Sequence, residues 1–423
     1  MRDQTYRILS KDHAVSNDTW QTGLNNNDLI IGPSGAGKTR GYVLPNILQC
    51  SESLIVADTK GSLIRQSGGI LARNGYKVYE IRLADCLSSP CGYNPLDFIR
   101  YDSDKGRYSE QDIISVSACL VPVESAKDPF WDYAARTVLE SLVAYVMECL
   151  PEHEHTLSSV VALCSEMGSP SFERLFMELG EVSPDSFAVS RYRLYKGMAT
   201  AEKMYASIQG ILAEKLSPMA FEGAKALFSN PHKPRLGSLG QEKSAVFLTI
   251  SDTDRSLDRL SGLFYAQALQ ALIASADQSP GHCLEVPVRL ILDDFAANVC
   301  IPDFDKTVSI IRSRGISASI VLQSISQLES MYGHARALTI MNNCDHLLYL
   351  GGQDVETARY IAVKANKSVN TILDMPLDRA WLFARGQAPR LARKYGLESH
   401  RLYHALPECR HGLAAGAALE HEA

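Results

Sequence analysis

Residues 32–39 read Gly32-Pro33-Ser34-Gly35-Ala36-Gly37-Lys38-Thr39, a complete G-x-x-x-x-G-K-[ST] pattern. The pattern is restrictive because it is a backbone device. Small residues let successive N–H groups converge on an anion, and a helix starting at the end of the loop adds its positive dipole. Such a loop works only between a strand and a helix, and Asp28-Leu29-Ile30-Ile31 is an apolar run leading straight into it. A chance match in a chain this long is a roughly 1–2% event on background composition. The motif predicts that residues 32–39 hold the phosphates of ATP, with Lys38 neutralising the outer phosphates and the Thr39 hydroxyl on Mg2+. Pro45 lies inside the helix that follows, and it predicts a kink or an end there.

Further apolar runs alternate with helical patterns. Ser53–Ala57 ends at Asp58-Thr59-Lys60-Gly61, and Lys77–Ile81, Ala245–Ile250, Val288–Leu292, Ser319–Leu322, Leu347–Leu350 and Ala380–Phe383 read as strands. This alternation predicts an α/β domain around a mostly parallel central sheet. Between Tyr108 and Ser229 the period is helical, with few β-prone runs, so an inserted all-α domain is expected. The expected organisation is a first part of the nucleotide-binding domain at 1–107, the all-α insertion at 108–240, the second part at 241–406 and a flexible tail at 407–423.

A phosphate loop needs an acidic partner for the metal and the attacking water. Leu290-Ile291-Leu292-Asp293-Asp294 is an apolar strand ending in two carboxylates. Asp293 is expected to hold Mg2+ through water, and Asp294 to act as general base. Gln323 ends the next strand, where an amide either senses the γ-phosphate or positions water, or else simply faces solvent. Arg312 and Arg314 lie between the two strands. Either an arginine finger reaching a neighbouring subunit's ATP or a plain surface charge fits that spacing. Asp58 and Lys60 sit where α/β ligands bind, in a supporting role or a local salt bridge.

The formal net charge of −6 argues against a globally basic nucleic-acid coat but leaves local contact surfaces open. Two stretches fit such a surface or a solvated face equally. One interleaves Arg191, Tyr192, Arg193, Tyr195 and Lys196, and the other spans 379–401, with six basic residues against Glu398. Glu152-His153-Glu154-His155 reads as an exposed loop. The ten cysteines show no paired short spacing and read as mostly buried thiols of a cytosolic protein. No run of about 20 apolar residues and no signal-peptide core are present, so a cytoplasmic chain is expected.

Taken together, these residues resemble the TraG/TraD-type coupling proteins of type IV secretion and conjugation. The matching segments are Gly32 to Thr39 with Pro45-Asn46; Val56-Ala57-Asp58-Thr59-Lys60-Gly61; Asn94-Pro95-Leu96-Asp97; and Asp128-Pro129-Phe130-Trp131 with Ala134-Ala135. They continue with Leu292-Asp293-Asp294-Phe295-Ala296, Ile311-Arg312-Ser313-Arg314-Gly315-Ile316 and Gln323-Ser324-Ile325-Ser326-Gln327-Leu328. The resemblance implies a RecA-like motor domain with an all-α insertion, assembled as a homo-hexamer on the cytoplasmic face of a membrane channel. It implies ATP-driven movement of single-stranded DNA, usually with a bound relaxase, toward type IV secretion channel components, and it places the trans-acting arginine on Arg312. Two departures stand out. Only about 27 residues precede the first motor strand where the family usually has membrane-spanning helices, which leaves a soluble variant, a partner-anchored ATPase or a truncated gene. The family's Asp-Glu pair is Asp293-Asp294, one methylene shorter at the base. A weakly hydrolysing, nucleotide-gated receptor that recruits a relaxase or effector is therefore the alternative. A chromosome-segregation or pilus motor fits less well, given the helical insertion and Asn94-Pro95.

Overall fold

The computed structural model describes residues 5–124, 127–198, 201–295 and 300–409. The chain forms two compact units, one of residues up to Glu80, Arg235–Arg255 and residues from Ala268, the other of Ile81–Pro234 and Ser256–Gln267. Divisions thus fall at 80/81, 234/235, 255/256 and 267/268, where the sequence pattern sets 107/108 and 240/241. The first of these differences has a local cause. The stretch after Lys77–Arg82 is mostly 3-10 turns and the two-residue strands Tyr101–Asp102 and Arg107–Tyr108, which carry no apolar periodicity. Of the expected tail, residues 410–423 lie outside the described residues, while Cys409 packs against the first unit's core.

The first unit is built on a sheet of nine strands. In chain order β1 is Tyr6–Ser10, β2 His13–Ser16, β3 Asp28–Ile31, β4 Ser53–Asp58, β5 Lys77–Arg82, β6 Tyr101–Asp102 and β7 Arg107–Tyr108. Then β8 is Ser244–Thr249, β9 Val288–Leu292, β10 Ile316–Leu322, β11 His346–Tyr349, β12 Arg379–Ala384 and β13 Arg390–Arg393. The sheet order is β13-β12-β11-β3-β10-β9-β4-β8-β5. The pairings β11/β3, β3/β10, β10/β9, β9/β4 and β4/β8 are parallel, while β12 and β13 add antiparallel to one edge. The inner strands are buried on both faces, which is why their sequences are continuous apolar runs. The edge strand β13, Arg390-Leu391-Ala392-Arg393, was not legible as a strand because it is only four residues long with a charge at each end.

One face of the sheet, with Ile30, Val56, Phe247, Ile291, Val321 and Leu348, is covered by the helix after the phosphate loop and by Ser62–Arg73. Pro45 does not end the first of these helices. The turn before it, Thr39–Val43, widens to π geometry, with the Leu44 N–H donating to Thr39 O. Proline offers the Gly41 carbonyl no N–H, and the wider turn absorbs that loss. Asn46 then pairs its carboxamide with both the N–H and C=O of Ile8, at 2.8 and 2.9 Å, standing in for a strand neighbour of β1.

At the amino end of β3 lies a fully buried ion network invisible in the sequence. Arg7 Nε donates to both Asp28 oxygens (2.8 and 3.1 Å), Tyr42 donates to Asp28 Oδ2 (2.6 Å), and Arg289 bridges Glu52 (3.0 Å) and Asp28 (3.5 Å). Arg7 also donates to His346 Nδ1 at 3.0 Å, so that nitrogen accepts and the imidazole is neutral. Burial holds the His346 pKa down at about 4; Asp28 opposes this, Arg7 reinforces it, Asp345 opposes it and His13 adds a small lowering effect. The unfolded chain therefore takes up this proton first. The stability that follows from a neutral His346 is complete above about pH 6.5 and is lost as pH falls toward 4. His346→Asn keeps an acceptor near Nδ1 and removes the titration. In urea melts at pH 7, 6 and 5, the variant is expected to lose stability less steeply than wild type, by up to about 1.4 kcal/mol per pH unit. Parallel curves would mean that His346 takes up its proton alike in both states.

The second unit is helical apart from the β6–β7 hairpin. Its centre is the 20-residue helix Phe130–Cys149, buried over most of its length and packed by Glu110–Leu120, Leu157–Ser165, Phe187–Met198 and Glu202–Leu216. An aromatic cluster closes one side, with Phe176 stacked on Tyr192 at 4.2 Å. Among the described residues no helix is long and apolar enough to cross a membrane.

Candidate functional site

The phosphate loop leaves β3 with its ladder intact, since the Gly32 N–H donates to Leu322 O at 3.0 Å. Gly35 (φ 78°) and Gly37 (φ 92°) then take left-handed conformations that a side chain would strain. The Lys38 ammonium folds over the loop, donating to Gly32 O (2.7 Å) and Pro33 O (3.1 Å). Burial lowers its pKa, against the pull first of Asp294 and then of Asp293.

Folding brings four of the sequence-predicted residues together. Thr39 Oγ1 donates to Asp293 Oδ2 at 3.1 Å across 254 residues of chain. Gln323 Nε2 donates to Asp294 Oδ1 at 3.0 Å, so the amide is turned onto the second carboxylate and not to solvent. Asp294 is held at φ 53°, an uncommon conformation for a residue with a side chain and one that concentrates at functional sites. Burial pushes the Asp293 carboxyl up to about 6, partly opposed by the Thr39 hydrogen bond. A desolvated carboxylate beside a hydroxyl is the all-oxygen donor set that Mg2+ takes, usually keeping several waters. Thr39 and Asp293 are thus suited to hold the ion, which would supply charge neutralisation between phosphates. Ala296, the last residue of the acidic motif, lies outside the described residues.

Arg312 stands apart from this group. It is exposed, in a 3-10 turn just before β10, and its single long hydrogen bond goes to Thr19 O at 3.4 Å. Gln323 follows the opposite end of that seven-residue strand, roughly 23 Å away at the rise of an extended chain. Arg312 therefore does not serve the phosphate loop of its own chain. Arg314 is committed elsewhere, making two bonds to Asp277 at 2.8 and 3.2 Å. Asp58 is buried and caps the Ile64 N–H at 2.9 Å, while Lys60 pairs with Asp252 at 3.2 Å in an exposed bridge.

Several residues of the two basic stretches are engaged within the chain, while Arg193, Arg385, Arg390, Arg393 and Arg401 stay exposed. Tyr192 and Tyr195 are buried, Arg191 pairs with Glu140 at 3.1 Å and Lys196 with Glu173 at 2.6 Å, so no aromatic platform for bases is presented there. In the second stretch Arg385 binds Asp345 (2.8 Å), Arg401 binds Gln49 O (3.4 Å) and Lys394 binds the phosphate loop itself, at Ala36 O (2.9 Å). The Lys394 contact was not legible. Its one sequence signal was membership of a basic stretch that read as nucleic-acid contact or solvated face.

The sequence model described as Type IV secretory system Conjugative DNA transfer matches residues 3–367. The chain belongs to this conjugative DNA transfer family. Its relatives include the protein VirD4 of Rhizobium radiobacter, 24% identical over 339 residues that cover 79% of this chain and 47% of that protein. The conjugal transfer protein TraG of Escherichia coli is 21% identical over 354 residues, 79% of this chain and 54% of TraG. The chain thus spans about half the length of these relatives. Among solved structures, the plasmid coupling protein TrwB in complex with ADP and Mg2+ superposes with a TM-score of 0.71 at 16% identity, covering 93% of this chain and 90% of that one. The fold is that of the RecA-like coupling proteins, a P-loop α/β domain with a mostly parallel sheet, and the conjugative family is the one the motifs point to.

Proposed function

We propose that this chain is the motor part of a conjugative coupling protein. It binds ATP and Mg2+ at residues 32–39, hydrolyses the γ-phosphate bond, and uses the cycle to move single-stranded DNA, with an attached relaxase, toward a type IV secretion channel. The working form is a homo-hexamer at the cytoplasmic face of the membrane, reached through partner proteins. The observation that carries this reading is the cluster of Thr39, Asp293, Asp294 and Gln323 at the carboxyl edge of the sheet. Family membership and the likeness to TrwB, solved with ADP and Mg2+ and with a non-hydrolysable GTP analogue, support it.

Each residue has a role in this reading. The loop N–H groups and Lys38 hold the β- and γ-phosphates, and Thr39 with Asp293 places the metal. Asp294 accepts the proton of the attacking water through the oxygen that Gln323 does not hold. Gln323 reports the state of the γ-phosphate to the strand β10. Arg312 stabilises the transferring phosphoryl group of a neighbouring subunit.

A second reading is favoured by one feature. An aspartate at 294, fixed in a left-handed turn, reaches one methylene less far than glutamate. A chain that binds nucleotide but turns over little would act as a gated receptor for relaxase or effector proteins. Steady-state ATP hydrolysis with and without single-stranded DNA separates the two. Turnover that rises several-fold with DNA is expected for the motor. Tight ATP binding with flat turnover would favour the receptor.

A further inference from the structure

The segment that follows β13 lies along the phosphate loop and the first turns of its helix. Lys394 Nζ donates to Ala36 O at 2.9 Å. The Tyr395 carbonyl stands 3.3 Å from where a Cβ on Gly41 would be, so that glycine permits the approach. Glu398 and Glu408 both pair with Arg40, at 3.1 and 3.0 Å, and Leu397 and Leu406 are buried in the core beneath. The segment itself, from Lys394 to Glu408, lies beyond residue 367, the last one matched by the family.

The Ala36 carbonyl shares its peptide unit with the Gly37 N–H. In a trans peptide the two point in opposite directions, and the described chain has no cis peptide bond. A cation fixed on the carbonyl therefore turns the Gly37 N–H the other way, to the side away from Lys394. It also polarises the peptide so that this N–H is a stronger donor. Gly37, at φ 92°, takes a left-handed conformation with no side chain to fix it, so this peptide gains from an external hold.

We infer that Lys394 is a positioning residue of the phosphate site, orienting the Ala36–Gly37 peptide so that its N–H is set for a nucleotide β-phosphate before the ligand arrives. The inference rests on the nucleotide reading above. Its physical basis is pre-organisation: a peptide already held in the binding orientation need not be ordered on binding. Ordinary tethering of the segment is left to Leu397, Leu406 and the Arg40 pairs, which do not touch the loop peptide.

The test compares Mg2+–ADP and Mg2+–ATP affinity, by calorimetry, with the melting temperature of the free protein. Lys394→Met keeps the aliphatic stem and loses the cation. It is expected to weaken both nucleotides about tenfold while the free protein melts within a few degrees of wild type. Lys394→Arg restores the cation and is expected to recover most of the affinity, and Glu398→Gln, at an exposed pair in the same segment, to bind as wild type. Wild-type affinity in Lys394→Met beside lost affinity in Lys38→Ala would overturn the Lys394 role alone. Equal weakening in Lys394→Met, Lys394→Arg and Glu398→Gln would reduce the segment to a tether. No nucleotide binding by the wild-type chain would remove the nucleotide reading and this role with it.

Discussion

Lys38→Ala is expected to cut ATP turnover by roughly 10²–10³-fold while leaving the fold in place. The magnitude is that of removing one pre-organised donor from a site where charge develops. Lys38 is the one cation inside residues 32–39, and its ammonium already lies over the loop, bonded to Gly32 O and Pro33 O. Burial has stripped part of its hydration, so its charge acts at low screening. The phosphate of a nucleotide replaces those two carbonyls as its partner, and alanine offers none. Structure should survive because the Gly32 N–H stays in the β3–β10 ladder and the core under the helix involves Tyr42, Val43, Leu44 and Ile47, not Lys38. The check is steady-state hydrolysis beside circular dichroism of the same preparation. A folded variant that keeps a third or more of wild-type turnover would move the chemistry away from this loop.

Arg312→Ala is expected to lower hydrolysis by the assembled protein about 10³-fold, with nucleotide affinity of the free chain unchanged. Arg312 sits at the amino end of β10, a whole strand length from the carboxylates and amide at its other end, so any effect on hydrolysis must be exerted on another copy. Mixing tests this directly. Lys38→Ala subunits carry an intact Arg312 but a dead loop, and Arg312→Ala subunits carry the reverse. Mixed assemblies are expected to regain a measurable part of wild-type turnover, which neither variant shows alone. Arg314→Ala serves as the contrast. Its guanidinium is spent on Asp277, so its loss should register as a small change in stability with turnover nearly unchanged. If mixing restores nothing, Arg312 is no trans-acting group.

Much of the candidate site was legible because its parts are local. A phosphate loop is eight consecutive residues whose backbone does the binding, so pattern and function coincide along the chain. The acidic pair was legible for a related reason, since an apolar run that stops at Asp293-Asp294 has to place them at a strand end. The inner strands were equally plain, because a strand buried on both faces has an unbroken apolar run, as β9 does over Val288–Leu292. What could not be seen were relations between distant positions. The basic–aromatic run at 191–196 fitted a nucleic-acid surface or a solvated face equally, yet it is a helix with its tyrosines turned inward, because helical spacing alone does not say which side faces the core.

The sequence by itself determined a phosphate-loop motif, a mostly parallel sheet, a long helical stretch and a family. Each of these rests on a local pattern of side-chain volume, polarity or backbone freedom. Only the tertiary structure decided that Arg314 is spent on Asp277 while Arg312 stays exposed, that Gln323 is turned onto Asp294, and that Lys394 reaches back 358 residues to Ala36. It also decided that Arg7, Asp28, Arg289 and His346 share one buried network. These are matters of which charges folding desolvates together, and a charge shows its partner only once the chain has closed around both.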